Sequence, residues 1–131
     1  MKFFKSLFTS SSDVFALNSA SVQSFAERWP QIKDYYETLA KTFAASEKGN
    51  LRIIKSDSTI LVDKVEALSI EAMPAEYRNP KILETLLTLK KQTKLVDFLV
   101  QQNLEDNEIK AALAKLKEIF HSIVEYCLSE K

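Results

Sequence analysis

"LRIIKSDSTILVDKVEALSIEAM", from Leu51 to Met73, is the stretch on which the fold class turns. Its first twelve residues, "LRIIKSDSTILV", read as two β-prone runs around a Lys-Ser-Asp-Ser turn, which makes a β-hairpin over 51–62 and an α+β protein one alternative. The same residues also carry a helical stripe of Leu51, Ile54, Leu61, Val65, Leu68 and Ala72, with Ser58 as a polar gap. The phase of that stripe continues through "DKVEALSIEAM", which is hard to read any other way, so a helix over the whole segment is the expectation.

The flanking segments point the same way. Between Ser21 and Lys48, Val22, Phe25, Trp29, Ile32, Tyr36, Leu39 and Phe43 recur at alternating steps of three and four. Pro30 falls inside this stripe, and a proline ring clashes with the carbonyl four residues back. Because the phase is the same on both sides, one kinked helix is expected, ended by the Gly49-Asn50 stop signal. Trp29 and Tyr36 lie on the core stripe, leaving Tyr35 as the exposed ring.

Downstream, "MPAEYRNP" is a linker in which Asn79 caps the next helix and Pro80 occupies its first turn. The third helix is expected from about Pro80 to Gln102, with Leu83, Leu86, Leu87, Val96, Leu99 and Val100 as its stripe and polar "KKQT" interrupting it. After "NLEDN", with Asp106 as cap, the last helix shows Ile109, Leu113, Leu116, Phe120, Ile123 and Cys127 on one face, widened by Ala112, Ile119 and Val124.

Composition agrees with an all-α chain. The single glycine and three prolines leave few residues for positive-φ turns, which sheet-rich proteins need in number. A length of 131 residues sets one bundle domain, and four helices of this size joined by short loops prefer antiparallel neighbours. The expected architecture is therefore an up-down-up-down four-helix bundle over 18–131, preceded by a short amphipathic extension over 1–17.

Basic and acidic residues number 18 each, so the overall basic surface that binds nucleic acid is missing. Glu118 and His121 have the i, i+3 spacing of a bundle di-iron site, but that site needs the motif twice and the chain holds one histidine. A c-type haem attachment is absent, and one glycine cannot build a phosphate loop. Cys127 and His121 lie six apart on one helix, pointing away from each other, which rules out a direct nucleophile–base pair. The lone cysteine fits a reducing compartment, and no segment reads as a transmembrane span, so a soluble cytoplasmic protein is expected. It is expected to be neither an enzyme nor the holder of a cofactor.

What remains are surface features. "MKFFKSLF" opens the chain; Lys5 breaks its apolar run, so it is no secretory signal. As a helix it gathers Phe3, Phe4, Leu7 and Phe8 beside its lysines, and three roles stay open to it: core packing, docking on a protein partner or second copy, and weak peripheral contact with an anionic membrane. Lys90, Lys91 and Lys94 cluster on the third helix, either as a solvated face or as a site for an anionic partner or lipid headgroup. Tyr77 and Arg78, in a proline-bounded loop, are either part of a plain connection or residue types common among interface anchors. The functional expectation is a non-catalytic protein-interaction or self-association module. The alternative is a carrier of a small ligand or cofactor in the bundle core near His121.

Overall fold

A computed structural model describes residues 25–129. Every regular element among them is helical, and no strand is present in that span. The segment Leu51 to Met73 resolves as helix and turns, which removes the 51–62 hairpin. The 1–17 extension lies outside the described residues.

Residues 25–28 are helical, and α1 runs Pro30–Glu47. These are two pieces, where one kinked helix was expected. Pro30 disfavours helical geometry in the residue before it, and Trp29 accordingly takes φ −131° and ψ 75°. The Trp29 carbonyl still accepts from the amides of Ile32 (3.0 Å) and Lys33 (3.3 Å), so the phase survives the break. Phe25, Trp29, Ile32, Tyr36, Leu39 and Phe43 are all buried. At the other end Gly49, at φ 82°, closes α1. Its amide donates to Ser46 O (2.9 Å) and the Asn50 amide to Ala45 O (2.9 Å), the paired bonds of a Schellman cap.

The second helix, α2, spans Arg52–Glu66 and buries Ile54, Ser58, Leu61 and Val65. It stops seven residues short of Met73. Beyond it the chain continues in turns, and Ser69 Oγ accepts from the Ala72 amide (3.2 Å), a local bond that replaces a helical one. Leu68 and Met73 remain fully buried even so. A 3₁₀ turn, Ala75–Tyr77, leads to α3, Pro80–Gln101, whose first turn is capped by Asn79 Oδ1 accepting from the Ile82 amide (2.9 Å). The last helix, α4, is Asp106–Ser129. Asp106 sits in its first turn, paired with Lys55 of α2 (2.9 Å), one residue later than the cap position expected for it.

Helices adjacent in the chain pack on one another, and α1 and α4 make a lighter contact that closes the bundle. Between α1 and α2, Lys41 meets Asp57 (3.7 Å) while Lys64 meets Asp34 (3.1 Å), so the residue number falls on one helix as it rises on the other. Two aromatic groups anchor the interior. Trp29 stacks on Tyr77 at 6.1 Å with Phe25 edge-on to both, and Tyr35 and Tyr36 lie against Phe120 at 5.7 and 5.8 Å. Tyr35, expected at the surface, is completely buried.

Candidate functional site: the outward face of helix α3

Helix α3 buries Ile82, Leu86, Leu89, Thr93, Val96 and Val100, a stripe with regular steps of four and three. This stripe shares Leu86, Val96 and Val100 with the one read from the sequence. Leu83 and Leu99 pack at its edge, Leu87 faces out, and Ile82, Leu89 and Thr93 take the remaining core positions. Thr93, the last residue of "KKQT", lies inside it and is 1% exposed, so the polar run does not interrupt the core. Thr93 Oγ1 bonds the Leu89 carbonyl (2.8 Å) and Tyr35 Oη (2.9 Å), which satisfies both buried hydroxyls and ties α1 to α3.

The inward stripe leaves other apolar residues outside. Leu87 is 61% exposed, Phe98 56% and Leu95 41%. At 100° per residue these three fall within an arc of about 80°, and Lys91 and Glu84 fall within the same arc. From Leu87 to Phe98 the strip is about 16 Å long, at 1.5 Å per residue. Lys90 and Lys94 border it on the side of α2. Lys94 reaches across to Glu66 (2.6 Å), and Lys94 and Lys90 together hold the Glu66 carboxyl below its ordinary pKa. Lys91 is exposed on the strip itself. The sequence-predicted lysines thus divide: Lys94 clasps two helices, Lys90 stands beside that clasp, and Lys91 faces outward among leucine and phenylalanine.

The other candidates are placed differently. Tyr77 is buried against Trp29 and Phe25 with the Arg28 guanidinium 5.8 Å from its ring, and Arg28 also pairs with Glu76. Burial raises the Tyr77 phenol pKa. Tyr77 is a core ring, which corrects its reading as a loop anchor; the 3₁₀ turn points its side chain inward. Arg78 donates through Nε to Met73 O (3.1 Å) and through Nη2 to Glu71 O (3.4 Å), so it laces the turns after α2 together. Phe3, Phe4, Leu7 and Phe8 lie outside the described residues.

His121 is half-buried on α4, and burial with the nearby Lys117 charge lowers its pKa to about 4. Among the described residues no group of three or more His, Cys, Asp or Glu side chains is arranged to hold a metal ion. No helix among them is long and apolar enough to cross a membrane. Leu87, Leu95 and Phe98 were missed as site residues, although one signal was present. Helix α3 carries more leucines than one stripe can bury, and the surplus has to face outward.

No family model, curated protein or solved structure matches this chain. The class is therefore set by the fold itself, an all-α helical bundle.

Proposed function

We propose that the protein is a non-catalytic interaction module and that the outward face of α3 is its docking surface. The observation that carries this reading is the exposed strip of Leu87, Leu95 and Phe98, three large apolar side chains on one face of a helix whose other face already fills the core. Isolated exposed leucines are ordinary, whereas an aligned apolar strip rimmed by charge is the usual form of a binding surface. The strip is far smaller than the roughly 800 Å² per partner of a stable complex, so the expected contact is weak and reversible.

The test is the triple variant Leu87→Ser, Leu95→Ser, Phe98→Ser in the full chain. Because these side chains contribute little to the core, unfolding stability is expected to stay within about 1 kcal/mol of the parent. Solution mass over a concentration series, together with chemical cross-linking to added partners, reads association. Association of the parent that the variant loses supports the reading. A folded variant that associates as the parent does overturns it.

A further inference from the structure

We infer that the occupant of the α3 strip is an acidic amphipathic helix of a partner protein. This rests on the reading of the strip as a docking surface and goes on to name what it takes. The strip is straight, about 16 Å long and one helix face wide, which matches three turns of a second helix laid along it. Its charge is not uniform. Glu84 stands at the N-terminal end, Lys90, Lys91 and Lys94 in the middle, and Lys94 is already met by Glu66. Carboxylates placed beside Lys90 and Lys91, and kept away from Glu84, complement this pattern.

Three other occupants fit less well. A second copy packed antiparallel so as to cover Leu87, Leu95 and Phe98 is centred between residues 92 and 93, which sets Lys91 opposite the lysines of its partner. A shifted register that pairs Glu84 with Lys91 places Phe98 beyond the start of the partner's α3 at Pro80. Residues 1–24 are rich in Phe but carry Lys2 and Lys5 against the single acid Asp13, the wrong sign for Lys90 and Lys91. An anionic bilayer attracts the lysines, but as a uniform plane it also meets Glu84 on the same face and Glu66 beside it. Only a partner with positioned charges separates the two signs.

The experiment uses the full chain and two synthetic 18-residue amphipathic helices. They share one leucine face and carry flanking glutamates in one and flanking lysines in the other. Fluorescence anisotropy of the labelled peptides reads binding, and far-UV circular dichroism confirms that each protein variant is folded. The glutamate peptide is expected to bind with a dissociation constant on the order of 0.1 mM, set by a small apolar area against the cost of association. Phe98→Ser is expected to weaken it by about tenfold or more, and Lys91→Glu by about threefold. Lys48→Glu, a charge change of the same size at the C-cap of α1 and off helix α3, is expected to leave it unchanged.

Equal binding of both peptides, each lost in Phe98→Ser, keeps the docking surface and overturns the acidic assignment. Binding to phosphatidylserine vesicles with no peptide binding overturns it in favour of lipid. A concentration-dependent mass abolished by Phe98→Ser, with no peptide binding, overturns it in favour of a second copy. If peptides, vesicles and solution mass are all indifferent to Phe98→Ser, the docking surface fails along with its occupant.

Discussion

Thr93 has one hydroxyl proton, and that proton orders the bond between α1 and α3. Its short contact to the Leu89 carbonyl, an acceptor only, requires Thr93 to donate there, so Tyr35 must donate to Thr93 Oγ1. The two side chains are then unequal under mutation. Tyr35→Phe leaves Thr93 bonded to Leu89 and is expected to cost about 1 kcal/mol, the net worth of one hydrogen bond. Thr93→Val strands a buried phenol and is expected to cost more, about 1–3 kcal/mol. The double variant, with neither hydroxyl, is expected to be no less stable than Thr93→Val alone. Urea unfolding of all four proteins checks the order, and a larger loss for Tyr35→Phe than for Thr93→Val contradicts it.

Helix ends and helix faces obey different physics in this chain. The end of α1 is set by Gly49, whose φ of 82° is open to glycine and costly for other residues. A Cβ built there meets nothing within 4 Å, so the cost of Gly49→Ala is conformational and not steric. It is expected at about 1 kcal/mol, read as a lower midpoint in urea. The α3 end uses Asn103 at φ 57° in the same role, with the Leu104 amide reaching back to Leu99 O (3.1 Å). Faces are another matter. The apolar residues of α3 fit two overlapping stripes, and the polar run containing Thr93 makes the wrong one look better. Packing against α2 and α4 selects the stripe through Leu89 and Thr93. Ser58 follows the same logic on α2, where it is buried because Asp97 of α3 accepts its hydroxyl (2.6 Å).

At the scale of the whole molecule, the titratable rings inside the core and at its edge bracket a pH window of stability. Burial raises the phenol pKa values of Tyr35 and Tyr36 well above 10.0, and that of Tyr77 in the same direction. Unfolded tyrosines ionise from about pH 10, which favours the unfolded chain, so stability is retained below that pH and falls above it. His121 works in the opposite direction. With its pKa lowered from 6.5 to about 4, it binds its proton more readily when unfolded, so its contribution is complete above pH 6.5 and is lost as pH falls towards 4. A plateau between about pH 6.5 and pH 10 is expected in urea midpoints, with His121→Asn flattening the acid limb between 6.5 and 4. An acid limb unchanged in that variant contradicts the assignment.

The residue order by itself determined that most of the described chain is helical, with the 51–62 hairpin left as an alternative, and where several helices begin and end. Gly49-Asn50 and Asn79-Pro80 act through hydrogen bonds that close within a few residues, and such bonds are readable locally. The break at Trp29 is local too, since Pro30 restricts the residue before it, but an unbroken hydrophobic phase concealed it. Only the tertiary structure decided that Tyr35 and Tyr77 point inward and that Leu87, Leu95 and Phe98 point outward. The reason is that burial is a property of pairs of elements. A helix with apolar side chains on more than one stripe has no inside until its neighbours supply one.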